Sequence, residues 1–369
     1  MNRLFRWDQM GLFLLALAAG ILPFAVPEVC AAALREGLTL CSGPLLLSLF
    51  PFLVVSRLLV QCPESDLLAL PFRLAAWGIG IRTPCAARVL CIGFLGGFAP
   101  AASAAAQAVR TGQLTAEEAD ALLPACICSG PSFVVLTVGQ SLLGSAELGV
   151  LLFASQITAN YLTAALLNRF AGMHSVKLGS AAPASPAPPR LDEILADAAI
   201  TYCKLCGFIL FFRMLAAGAG ALLPAGAGTL CSILLEVCSG CDLASRTGRC
   251  GSLLCCAALS VQGLSVLLQV RTICPPEMTL RPLYRARMLH LPLSLALFYL
   301  LLPGGEADVF STLPARILLM RRVPPDCALL VFAVCCMAAC TLRSGIRQVE
   351  QKQMARNAGG CCINSKTLL

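Results

Sequence analysis

The placement of charge constrains this chain more than any other feature of its sequence. Charged residues fall in short clusters, and between them nine stretches carry no Asp, Glu, Lys or Arg: 9–27, 37–56, 89–109, 121–146, 148–168, 214–235, 251–270, 288–305 and 327–342. A hydrocarbon core roughly 30 Å thick takes about 20 residues of helix to cross, and most of these stretches approach that length. Only 12% of the residues are charged and 58% are hydrophobic, whereas an ordinary soluble domain is about a quarter charged. That leaves too little polar surface for a water-soluble fold. Unpaired backbone groups are costly in lipid, so spans without the alternation of a barrel should be helices, and any unwound part should face protein or a wet cavity. The expected fold class is an all-α polytopic integral membrane protein of roughly 8–10 membrane segments, with interrupted or re-entrant helices in two related halves.

The start of the chain, with Arg3 and Arg6 before an apolar run and small residues at Ala31 to Ala33, is compatible with a cleaved signal peptide or with a retained first span. We expect the retained span. One linker stands out, from His174 to Arg190, where Ala, Ser and Pro dominate and no helix is sustained. It divides the chain into an N-terminal span and loop (1–37), a first gate-like half (38–172), the linker (173–192), a second gate-like half (193–305), a C-terminal membrane segment (306–342) and a basic tail (343–369). Each half contains a Gly-punctuated apolar hairpin with a glutamine near its far end: Gly93, Gly96, Gly97 and Gln107, then Gly263 and Gln269. Each also has an aromatic-rich helix ending in a lone arginine, Phe50, Phe52 and Arg57 against Phe208, Phe211, Phe212 and Arg213. Transporters built from two related halves leave this kind of signal, and chance similarity between apolar segments produces it as well.

The net charge of +8 does not imply nucleic acid. The basic residues sit at span ends and in the tail (Arg343, Arg347, Lys352, Arg356, Lys366) without interleaved aromatics, so anionic lipid headgroups are the expected partner. If the tail is cytoplasmic, the acidic cluster Glu117, Glu118 and Asp120 lies in an outward loop. Most of the 22 cysteines stand within apolar runs, where a free thiol behaves as a small hydrophobe. Two CxxC pairs, Cys203 with Cys206 and Cys238 with Cys241, have metal-binding or redox spacing, but no histidine is near them. His174 falls in the linker, and His290 at the mouth of a span beside Arg287, an interfacial position. Neither a P-loop nor an HExxH or GxSxG pattern occurs. No enzymatic activity, catalytic residue, metal site or cofactor is expected.

Polar residues within apolar runs are the candidate ligand-binding groups. Glu236 closes the run from Met214, and at that depth a carboxyl must be protonated, paired or open to a cavity, unless it lies at the headgroup level with Asp242, Arg246 and Arg249. Around Gly263, the residues Ser260, Gln262, Ser265 and Gln269 supply uncharged donors and acceptors. These suit a neutral polar ligand and helix-to-helix hydrogen bonds equally. In the first half, Ser129, Gly130 and Pro131 break a helix and free backbone groups that a ligand or a neighbouring helix must satisfy. The candidate set is Glu236, Ser265, Gln269, Gly263, Ser129, Gly130, Gly97 and Gln107.

The run from Phe50 to Leu59, then Gly93 to Phe98, then Gln107, Gly112, Leu114, Thr115, Glu117, Glu118 and Ala119, then Ser129 to Pro131 with Phe133, resembles the sporulation integral membrane protein YlbJ family. The resemblance continues in order through Cys206 to Ile209, Leu235 to Val237 with Gly240, and Gly263 to Val266 with Gln269. It covers about 38–302, most of the chain. The sequence departs from the family pattern after Phe98, where Ala99, Pro100, Ala101, Ala102 and Ser103 stand in place of a glycine and often a lysine, and at Ile127 and Gln262. These departures thin the polar character of the first-half motif. The resemblance implies a "nucleoside recognition" or gate-type membrane domain in the cell membrane of an endospore-forming bacterium, needed for making a resistant spore. Its expected partners are the lipid bilayer, a small polar and nucleoside-like solute, and spore-envelope proteins. Two roles follow as alternatives: a transporter or gate for that solute, or a membrane scaffold for spore-envelope assembly that moves nothing.

Overall fold

The computed structural model describes residues 2–61, 66–170 and 191–302. The linker up to residue 190, the C-terminal membrane segment and the basic tail expected from the sequence fall in 171–190 and 303–369, outside the described residues, while 191 and 192, counted with the linker, open a helix. Among the described residues every regular element is helical: α1 Asn2–Ala25, α2 Pro27–Ser42, α3 Pro44–Gln61, α4 Leu70–Gly78, α5 Pro84–Gly96, α6 Phe98–Arg110, α7 Ala116–Cys126, a π-helix Ser132–Leu142, α8 Ala146–Phe170, α9 Leu191–Leu222, α10 Ala225–Leu235, α11 Val237–Ser245, α12 Gly251–Val261, α13 Gly263–Ile273 and α14 Arg281–Leu301, with a short 3-10 turn at Gly248–Cys250. The protein is an all-α membrane protein.

Three stretches are long and apolar enough to cross a bilayer, Ala146–Phe170, Leu191–Leu222 and Gly248–Ile273, and a fourth is formed if α1 and α2, bent by 110° at their junction, count as one. Most other uncharged runs resolve into shorter helices. The run 89–109 is cut at Gly97, and 121–146 is cut at 127–131. Large apolar side chains face outward: Phe13, Leu17 and Phe24 on α1 and Met288, Tyr299 and Leu300 on α14 are exposed. Such side chains suit hydrocarbon.

Local sequence explains where elements start and stop. Thr115 and Glu118 form a reciprocal capping box at the start of α7, the Thr115 hydroxyl accepting from the Glu118 amide at 3.1 Å and Glu118 accepting from the Thr115 amide at 3.0 Å. Asp120, in the acidic cluster that reads as a loop, lies on α7 and is buried. Its carboxylate accepts from the Thr279 amide and hydroxyl at 2.8 and 2.6 Å and from the Leu280 amide at 3.2 Å, fixing the entry of α14, where Leu280 takes a φ of 56°. At the centre is α6, whose alanines 99, 101, 102, 104, 105, 106 and 108 are all fully buried. With no side chain beyond Cβ, they let α3, α5, α7 and α13 close around one helix.

Candidate functional site

Four helix interruptions organise the interior, and they meet in two pairs. The first pair is the α5–α6 break at Gly97 and the break between α7 and the π-helix at 127–131. Gly97 has a φ of 81°, a conformation that favours glycine. A side-chain carbon there would stand 2.7 Å from the Gly130 amide nitrogen, so the two interrupted segments cross backbone to backbone. The second pair is the α10–α11 break at Glu236 and the α12–α13 break at Gln262 and Gly263. Gly263 has a φ of 72°, and a carbon on it would stand 2.9 Å from both the Glu236 amide nitrogen and the Leu235 carbonyl oxygen.

The breaks leave main-chain groups without helical partners, and the structure satisfies them individually. In a continuous helix the Ile127 carbonyl would accept from the amide of residue 131, but Pro131 has no N–H. The Ile127 oxygen instead accepts from the Arg287 guanidinium at 2.7 Å, from the Asn160 amide at 3.4 Å and from the Gln262 amide at 3.5 Å. Arg287 also donates to the Ser260 carbonyl at 3.3 Å, in the last turn before the Gln262 break. One buried side chain on α14 thereby joins the interruption of the first half to that of the second.

Around this junction lies a polar network from α8, α12 and α14. The Gln156 amide donates to the Cys256 carbonyl at 3.2 Å and to the Ser260 hydroxyl at 3.0 Å, and His290 Nε2 is 3.2 Å from the Gln156 carbonyl. Ser294 meets the Ser260 hydroxyl. Arg287 forms no ion pair among the described residues; its charge is shared among carbonyl dipoles and the Asn160 side chain. Three buried atoms here lack a hydrogen-bond partner: Arg287 Nε, His290 Nδ1 and Gln262 Oε1.

Glu236 is buried, but not as an isolated carboxyl. It caps α11, its two oxygens accepting from the Cys238 and Ser239 amides at 2.8 and 2.7 Å. The positive end of a helix dipole thus faces the carboxylate across one turn. Ser129 is buried within its break, and Ser265 accepts from the Gln269 amide at 2.9 Å on α13.

Gln107 and Gln269 lie apart from the crossings. Together they line a cleft of about 370 Å³ between α3, α6, α9 and α13. The eight candidate residues therefore fall into two groups: Gly97, Ser129, Gly130, Gly263 and Glu236 at the interruptions, and Gln107 and Gln269 at the cleft, with Ser265 bonded to the latter. The cleft also holds Arg57, whose guanidinium pairs with Asp197 at 2.8 Å and donates to Ser103 and Thr201 at 3.1 and 3.2 Å. The corresponding arginine of the second half, Arg213, pairs instead with Glu36 at 2.7 Å.

His290, expected at the mouth of a span beside Arg287, is fully buried among the packed helices, and Arg287 is buried with it. Gln156, Asn160 and Ser294 went unnoticed within apolar runs. Their signal was spacing, since 156 and 160 share one helical face, as do 287, 290 and 294. The cysteines of both CxxC pairs are free thiols, and no group of His, Cys, Asp or Glu among the described residues is placed to hold a metal.

No family model, curated protein or solved structure matches this chain.

Proposed function

We propose that this chain is a YlbJ-like membrane protein of endospore formation that gates or carries a small polar, nucleoside-like solute through the cell membrane. The observation that carries the reading is the pair of crossings, Gly97 on Gly130 and Gly263 on Glu236, tied together by Arg287 through the carbonyls of Ile127 and Ser260. Interrupted helices that meet inside a membrane protein are the form in which many transporters present main-chain groups to a solute. A scaffold needs no such construction, because continuous helices would be more stable and would display the same surface.

Reconstitution in liposomes tests the reading. The wild-type protein is expected to carry radiolabelled nucleosides across the bilayer, with Glu236→Gln and Gln269→Ala reducing the flux. Absence of flux in the wild type, or fluxes unaltered in both folded variants, removes the solute-site part. Deletion of the gene in a spore-forming host is expected to lower the yield of heat-resistant spores. If removal of residues 343–369 alone reproduces that defect while flux persists, the scaffold role takes its place.

A further inference from the structure

The cleft between α3, α6, α9 and α13 has a charge content that the crossed helices do not use. Its one carboxylate, Asp197, is engaged by Arg57, whose remaining bonds go to Ser103 and Thr201. Arg110 and Lys204 also line the cleft, and neither has a carboxylate partner among the described residues; the contact of Arg110 is a 3.4 Å bond to the Ile273 carbonyl. Two positive charges without a carboxylate partner therefore line the cleft, one on α6 and one on α9. Beside them are the amides of Gln107 and Gln269. Gln269 is almost fully buried, with one end of its amide bonded to Ser265 and the other end without a partner.

We propose that this cleft binds a phosphate-bearing molecule, with the phosphate between Arg110 and Lys204 and the rest of the molecule against Gln107 and Gln269. Two free cations match a phosphate monoester dianion. A guanidinium fork together with an ammonium offers more N–H donors than the two oxygens of a carboxylate accept well, and phosphate has the oxygens to take them. The cleft, at about 370 Å³, is larger than a bare phosphate requires, and the open end of the Gln269 amide asks for a polar group beyond the phosphate. A soluble phosphate ester and an anionic lipid headgroup share the acceptor oxygens, and they differ in charge, a diester headgroup such as phosphatidylglycerol carrying one negative charge where a monoester carries two. The site goes beyond the proposed gate and stands whether or not a solute crosses.

The test uses the full chain in phosphatidylcholine nanodiscs, with thermal unfolding followed as inorganic phosphate is added and chloride of equal ionic strength as the reference, since a ligand of the folded state raises the midpoint. Arg110→Gln with Lys204→Gln should weaken half-saturation by about tenfold or more, the expected loss for charge-assisted bonds. Arg246→Gln, paired to Asp242 elsewhere on the surface, should behave as the wild type. Should the double variant not match the wild-type midpoint without phosphate, Lys204→Gln alone carries the comparison. A parallel arm titrates phosphatidylglycerol into the nanodiscs and reads saturable one-to-one binding by native mass spectrometry. A response to inorganic phosphate that the variants lose supports a soluble ligand. A response to phosphatidylglycerol alone, lost in the same variants, supports a lipid headgroup. No response in either arm, or one that the variants retain in full, overturns the proposal.

Discussion

Arg287 donates to the carbonyl oxygen of Ile127 at 2.7 Å, replacing the hydrogen bond that Pro131 cannot make. The relationship explains how a helix interrupted by Ser129, Gly130 and Pro131 is kept within an apolar interior. An unsatisfied buried carbonyl costs about 1–3 kcal/mol, and here the donor arrives from α14, 160 residues further along the chain. Because the same guanidinium reaches Ser260, the two interruptions are held by a single cation.

Replacing that cation should therefore destabilise both crossings. Arg287→Met keeps much of the volume but takes the donor from Ser260 and leaves Ile127 only the longer bonds from Asn160 and Gln262, and a loss of about 1–3 kcal/mol is expected. Arg287→Lys keeps the charge without the fork and should fall between it and the wild type. Thermal melts in nanodiscs read the order wild type, Lys, Met. A Met variant as stable as the wild type would show that Arg287 ties nothing together.

The glycines at the crossings should tolerate no side chain. Gly97→Ala and Gly263→Ala place a carbon within 2.7 and 2.9 Å of backbone in a left-handed conformation, so strain and overlap act together, at about 1–3 kcal/mol each for the backbone conformation alone. Gly226→Ala, with open space around it, is the control. Size-exclusion profiles should show loss of the monodisperse peak for the first two and not for the third.

Glu236 separates a capping role from a charge role. Glu236→Ala removes the acceptor of two amides and should cost about 1–2 kcal/mol, while Glu236→Gln retains one amide oxygen and should cost less. If liposome flux falls equally in both variants, the charge matters to the solute. If it follows stability, the residue acts only through α11.

Thiol reactivity should map the interior. Cys250, exposed in the turn before α12, is expected to react rapidly with a membrane-impermeant maleimide from one side of a sealed vesicle, whereas Cys126, Cys128, Cys255 and Cys256, all buried, should react only after denaturation. Fast labelling of those four in the folded protein would contradict the packing of the crossed helices.

How much of this was legible depended on whether a break had a local cause. The interruptions at Gly97 and at 129–131 could be read because glycine and proline announce them, whereas Glu117, Glu118 and Asp120 read as a loop although Thr115 and Glu118 cap a helix there. The break at Glu236 was read only as the end of an apolar run: that its carboxylate caps a new helix, and that Gly263 of another helix lies against its backbone, is visible only in the fold. Arg287 was misplaced for a reason of geometry. Arg281 and Arg285 are exposed, and the basic cluster reads as a headgroup contact. Two residues after Arg285, however, the helix has rotated by roughly 200°, which carries Arg287 to the inner face. The cleft was beyond reach for another reason, since Arg110 and Lys204 come to line one cavity only because α6 and α9 both pack on α3 and α13.

The bond from Arg287 to Ile127 has a consequence for how such a protein can change over time. Both carbonyls it grips belong to the main chain, so any residue type at 127 or 260 presents the same acceptor, provided the backbone keeps its path. The fastening thus needs no matching side chain, and drift at the two acceptor positions leaves it intact. A search for pairs of positions that vary together would pass over both of these carbonyls, and Asn160, whose side-chain oxygen accepts from Arg287 at 3.4 Å, would be the counterpart left to see.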